Sequence, residues 1–240
     1  MTYCVAASVS AGIVFASDSR TNAGVDHVAT FGKMHVFETP GERVLVLLSA
    51  GNLASTQSVI TLLRERAREG VNAAKTMYEV ATLVGSTIRE IIERDGPALQ
   101  QGNIDLGCSF VLGGQIAGEP PRLFDIYPQG NFIEANRDTP YFQIGEIKYG
   151  KPILDRIIRA GTPLAQAVKC TLVSFDSTIK SNISVGLPID LLVHRSGDFG
   201  PHEPYRFGGE HPYLRELRNA WSAGLHQLFD SLPDIDIEAP

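Results

Sequence analysis

The 240-residue sequence contains only three cysteines, Cys4, Cys108 and Cys170, which lie far apart without the spacing of metal ligands. They read instead as small buried hydrophobes inside strands or helices. No apolar run is long enough to span a bilayer. The apolar start has no basic flank and is interrupted by serine and Asp18, so neither a membrane span nor a secretory signal is predicted. Basic blocks are missing too: the net charge is −6 with both signs interspersed, which argues against nucleic acid and anionic membranes as partners. There is no Gly-rich phosphate loop, no GxGxxG after a strand, no His-Glu-x-x-His and no Gly-x-Ser-x-Gly. Repeats, low-complexity tracts and a linker are also absent. The expectation is one cytoplasmic domain over 1–240 with no cofactor and no metal.

What is present is a strongly patterned core, with 43% hydrophobic residues. Tyr3 to Val9 and Ile13 to Ala16 flank Ser10-Ala11-Gly12 and predict a β-hairpin apolar on both faces. His27 to Phe31, Lys33 to Phe37 and Arg43 to Ser49 continue as strands. Asn52 is a good cap for a helix carrying Leu53, Val59, Leu62 and Leu63 and ending by Gly70. A second helix carries Met77, Val80, Val84, Ile88 and Ile91 up to a stop at Asp95-Gly96-Pro97, with Gly85 marking close helix packing. Strands resume at Cys108 to Leu112, Leu123 to Tyr127 and Tyr141 to Ile144. A helix from Pro163 to about Asn182 and a strand from Ile189 to His194 follow. Strands, two helices, strands, one or two helices, strand is an α+β order, and a four-layer αββα sandwich of two antiparallel sheets between helix layers fits it.

Within that pattern Thr2 begins the first strand, Ser17-Asp18-Ser19-Arg20 ends the second, Lys33 opens the third stretch, and Leu48-Ser49-Ala50-Gly51-Asn52 joins a buried strand to a helix. Singly, each has an ordinary explanation as a turn, a solvated charge or a cap. Together, in the wording ASDSRTNAG, FGKMHVF and VLVLLSAGNLAS, and again over SFDSTIKSNISVGLPIDLL, the chain resembles bacterial proteasome-related β-type subunits of the N-terminal nucleophile hydrolase superfamily. The resemblance implies a threonine-type peptidase or amidase working as a homo-oligomer, in a ring or a spiral. It also implies ligase-like or transglutaminase-like proteins as neighbours.

The chemistry of these residues is coherent. A threonine hydroxyl is a poor nucleophile at neutral pH and needs a base within reach. If Met1 is removed, the freed α-amine of Thr2 is such a base, with an ordinary pKa of about 7.7 to 8.0. While Met1 remains, that nitrogen is locked in a peptide bond and the molecule is expected to be inactive. The Lys33 ammonium would stabilise the developing alkoxide and help keep the amine neutral. Asp18 would keep Lys33 charged, and the Gly51 backbone N–H would receive the oxyanion.

Other parts depart from the family pattern. Gly145-Glu146-Ile147-Lys148-Tyr149-Gly150 lacks the expected serine after a Gly-rich turn. Asp176-Ser177-Thr178-Ile179-Lys180-Ser181-Asn182 lacks the Asp-x-x-Ser-Gly-Gly pattern. Arg20, Asp176 and Ser181 or Ser184 are supporting candidates, with a polar helix end as the alternative. Only Met1 precedes Thr2 in this sequence, and the expectation is that no leader has to be removed by autolysis. Residues 198–240 form an extension, with Leu214, Leu217, Trp221, Leu225 and Leu228 on one helical face, packed on the core or on a neighbouring subunit. His202, His211 and His226 have no cysteine or carboxylate cluster to complete a metal site. Two other functions stay open: a catalytically weak oligomeric scaffold or binding subunit, and an amidase for a small or isopeptide-like amide.

Overall fold

The computed structural model describes residues 2–22, 28–100 and 105–235; Met1 and His27, both named above, lie outside them. The predicted hairpin is present as β1 (Tyr3–Val9) and β2 (Gly12–Asp18), paired so that Val9 faces Gly12 and Cys4 faces Ser17. Two short strands, β3 (Arg20–Asn22) and β4 (Val28–Thr30), form a separate ribbon. Then come β5 (Met34–Thr39), β6 (Arg43–Gly51), α1 (Leu53–Glu65) and α2 (Met77–Gln100). The second half contains β7 (Cys108–Ile116), β8 (Arg122–Ile126), β9 (Phe132–Glu134) and β10 (Tyr141–Gly145), followed by α3 (Lys151–Ile157) and α4 (Leu164–Ser181). It closes with β11 (Ile189–Arg195), β12 (Tyr205–Phe207) and α5 (Pro212–Asp230).

The strands assemble into two five-stranded sheets, β10-β1-β2-β11-β12 and β5-β6-β7-β8-β9, antiparallel throughout. Because successive side chains on a strand point to opposite faces, strands apolar on both faces must be covered twice. They are. Cys4, Ala6, Ile13 and Phe15 of the first sheet meet Val44, Val46, Leu48 and Val111 of the second in a buried layer. The opposite faces of the same strands, Tyr3, Val5, Ala7, Val14 and Ala16, pack against Leu154, Leu172 and Phe175 of α3 and α4. Leu45, Leu47, Phe110 and Leu112 pack against Val59, Leu63, Val80, Val84 and Ile88 of α1 and α2. Three buried layers between four layers of secondary structure, helix, sheet, sheet and helix, make the αββα sandwich. All three thiols are free and buried within it; burial pushes Cys108 up to about 11 and Cys170 up to about 12.

Three local expectations fail. Helix α1 ends at Glu65 rather than Gly70, because Arg66 N–H bonds back to both Leu62 O and Arg64 O and the charged run continues as turns. Helix α2 runs through Asp95-Gly96-Pro97 to Gln100. Proline fixes a helical φ, and the one bond it removes falls beside exposed Glu93, where water can take the freed carbonyl. Gly85 marks a close approach, but to a turn rather than a helix: a Cβ there would lie 2.1 Å from Gly130 O. Strand β4 falls within the stretch expected over His27 to Phe31, whereas β3, β9 and β12 were not predicted and α3 was not placed, being too short to display a period. Among the described residues no helix is long and apolar enough to cross a membrane.

Candidate active site

Strand β1 carries Thr2 at its N-terminal edge. There the pairing with β10 continues one step beyond the strand: Glu146 N–H donates to Thr2 O at 2.7 Å. Gly145 makes this possible. Its φ is +86°, and a Cβ at that position would sit 1.9 Å from Thr2 O, so only glycine fits. Thr2 is therefore tied into the sheet from its second residue position, and its side chain lines a cleft of about 780 Å³ shared with Thr21, Lys33, His35, Ser49, Gly51 and Arg64.

Lys33 and Asp18 are the charged centre of this region. Asp18 ends β2 completely buried, and Lys33 is 6% exposed. Lys33 Nζ lies 2.7 Å from Asp18 Oδ1 and donates a second bond to Arg20 O at 2.6 Å. The same Asp18 Oδ1 accepts Tyr3 N–H at 3.0 Å, while Gly186 N–H approaches Oδ2 at 3.4 Å. One carboxylate thus joins the lysine to the backbone of the residue after Thr2. Burial pushes the Asp18 carboxyl above its ordinary value, and the Lys33 ammonium and the two N–H groups pull it back.

Gly51 is the last residue of β6, with φ +108°. A Cβ there would meet Gly107 O at 2.3 Å. Ser49 N–H donates to Lys33 O at 2.9 Å. Backbone N–H groups alternate along an extended strand, so the Gly51 N–H lies on that same edge, toward Lys33. Helix α1 starts two residues later, capped by Asn52 Oδ1 accepting Ser55 N–H at 3.1 Å, and its positive end adds to the field there.

The supporting candidates divide. The Arg20 guanidinium donates to Ile183 O at 3.0 Å and packs against Gly186, bracing that loop, while the Arg20 carbonyl accepts from Lys33. Asp176 and Ser181 are not brought to the Thr2 cleft. Asp176 Oδ1 accepts Arg218 Nε at 2.8 Å, and both residues line a groove between α4 and α5. The buried face of α4 is set by Leu172, Phe175 and Thr178, which leaves 176, 177, 180 and 181 turned outward. Ser184 N–H closes a turn on Asn182 Oδ1 at 2.9 Å. The sequence reading missed Glu146 and Asn182, which meet beside Thr2 with Asn182 Nδ2 donating to Glu146 Oε2 at 2.8 Å. The signal was available: an acidic residue directly after the glycine that pairs with the first strand. It also missed His35, whose Nε2 lies 3.4 Å from Ser49 Oγ in the cleft. Burial, and behind it the Arg64 charge, pushes His35 down to about 4.

A family model described as proteasome subunit matches residues 2–193. The chain belongs to the proteasome subunit family. Among solved structures, this proteasome-family subunit is similar to Anbu, the ancestral β-subunit from Yersinia bercovieri. The two are 52% identical over 98% of this chain and 99% of that one, with a TM-score of 0.92. A structure titled as the helical assembly of the Anbu complex from Pseudomonas aeruginosa is 53% identical over 99% and 100% of the two chains, with a TM-score of 0.92. Anbu from Hyphomicrobium sp. strain MC1 is 47% identical over 98% and 100%, with a TM-score of 0.89. No curated protein matches the chain. The proteasome-subunit match stops at residue 193, before β12 and α5, whereas the likeness to Anbu extends over them.

Proposed function

We propose that this proteasome-family subunit is a threonine hydrolase that cleaves peptide or amide bonds through Thr2 once Met1 has been removed. The observation that carries the reading is the Asp18 carboxylate, which holds Lys33 at 2.7 Å and Tyr3 N–H at 3.0 Å through one oxygen and so locks the cation to the start of β1. In this mechanism the free α-amine accepts the Thr2 Oγ proton as Oγ attacks the substrate carbonyl carbon. The tetrahedral oxyanion is received by Gly51 N–H at the positive end of α1, and the Lys33 ammonium lowers the energy of the developing alkoxide. The protonated amine then returns its proton to the leaving nitrogen. Water, activated by the same amine, hydrolyses the acyl ester and regenerates Thr2. Among the described residues the cleft lining includes no carboxylate, while Arg64 and the neutral His35 stand along α1 and β5, which suits a substrate that is neutral or acidic near the scissile bond.

The same reading makes the active form a homo-oligomer in the cytoplasm. Leu214 of α5 is buried on the chain's own core, but Leu225, Leu228 and Phe229 are exposed on that helix, a patch that a neighbouring subunit would cover. The helical assembly named for the Pseudomonas aeruginosa relative supports that arrangement. The test of the hydrolase is a β-lactone that acylates threonine nucleophiles. The trimmed protein is expected to gain one adduct on Thr2, Thr2→Ser to retain labelling, and Thr2→Ala to lose it. Unchanged labelling of Thr2→Ala would remove the basis of this reading.

A further inference from the structure

The turn after β10 holds a buried carboxylate that the chemistry above leaves unused. Glu146 is 7% exposed although it lies past the end of a strand. A carboxylate is costly to bury unless it is hydrogen-bonded or paired. Here Asn182 Nδ2 donates to Oε2 at 2.8 Å, and Lys148 Nζ stands 3.7 Å from Oε1. Pairing places the residue across from the nucleophile: Tyr3 opposes Gly145, and one step beyond the strand Glu146 N–H donates to Thr2 O at 2.7 Å. Removal of Met1 would turn the nitrogen of Thr2 into an amine on the residue directly across from Glu146.

A neutral amine has one lone pair and two N–H bonds. For the lone pair to face Oγ–H, the two N–H groups must be held elsewhere, which requires an acceptor on this side of Thr2. We propose that Glu146, steadied by Asn182, is the positioning residue for the Thr2 α-amine, filling the role of the serine missing from this turn. The proposal rests on the reading of Thr2 as the nucleophile. Among the described residues, the charged groups linked to this corner of the fold are Asp18 from β2, Lys33 before β5, Arg20 from β3 and Lys148 on the same turn; the end of α4 contributes the neutral Asn182. The Glu146 carboxylate favours the ammonium and Lys33 opposes it, so the amine is balanced between the two.

The experiment titrates the amine itself on trimmed protein, by competitive acylation with acetic anhydride across pH and mass spectrometry of the N-terminal peptide. Glu146→Gln is expected to lower the midpoint by about one pH unit and to move the acid limb of β-lactone labelling down by the same amount. Lys148→Gln changes a side chain that is 72% exposed and should leave the fold intact; it is expected to move the midpoint slightly upward. The same midpoint in the parent and both variants would overturn the positioning role. If the midpoints shift as expected but no β-lactone adduct forms, the hydrolase reading fails while the placement of the amine by Glu146 stands.

Discussion

Replacing Asp18 by asparagine keeps the shape and removes the charge that holds Lys33. At 2.7 Å and an effective dielectric of about 20, the attraction lost is about 6 kcal/mol gross. Part is offset, because the buried Asp18 carboxyl is itself held above its ordinary value by desolvation and asparagine avoids that penalty. A net loss of about 3 kcal/mol is expected, at the low end for breaking a buried pair. For a chain of this size that lowers Tm by about 6–12 °C. The amide still offers an oxygen to Tyr3 N–H, and Lys33 keeps Arg20 O at 2.6 Å, so the fold should persist. Lys33 then loses its counter-charge in a buried setting and no longer supports the alkoxide, and labelling of Thr2 should slow by about 100-fold or more. The assay is the second-order rate of β-lactone adduct formation on trimmed protein, read by intact mass, beside a thermal melt. Labelling within about threefold of the parent would show that the pair does not serve Thr2, whatever the melt shows.

Two further predictions concern the surroundings of the site. Gly145→Ala places a methyl 1.9 Å from Thr2 O at φ +86°, so it should displace the start of β1, abolish labelling and lower the urea midpoint; a variant that labels normally would show that Thr2 is not held by this turn. His194 is completely buried, and desolvation, aided by His202, pushes it down to about 4. The unfolded chain takes up this proton near pH 6.5 and the folded one only near 4, so stability present above 6.5 is lost as pH falls through that window, by at most about 3 kcal/mol. Urea melts at pH 7 and pH 4.5 should show a smaller drop for His194→Gln than for the parent, and equal drops would refute the assignment.

The sandwich was legible in the sequence because its strands are long and apolar on both faces. Tyr3 to Val9 and Arg43 to Gly51 each feed two buried layers, a pattern that no surface hairpin requires. Helix ends were less legible, since Pro97 and the charged run after Glu65 are decided by water and local carbonyls rather than by period. At the site, residues in a fixed local context could be placed. Thr2, Lys33 and Gly51 line one cleft with Asp18 buried behind Lys33, because strand pairing leaves them little choice. Asp176 and Ser181 fall elsewhere, because Leu172, Phe175 and Thr178 take the inward face of α4 and the polar residues between them face the groove with α5. The stretch Gly145 to Gly150 was read only as lacking a serine, and Glu146 stood out only with Asn182, 36 residues away, in contact.

The most direct measurement compares two preparations of one sequence, with and without the initiator methionine, in the same β-lactone reaction. Release of the Thr2 nitrogen should make the difference between a single adduct on that residue and none. Equal rates from both preparations would contradict the account, because a nitrogen held in a peptide bond cannot take the proton from the hydroxyl beside it.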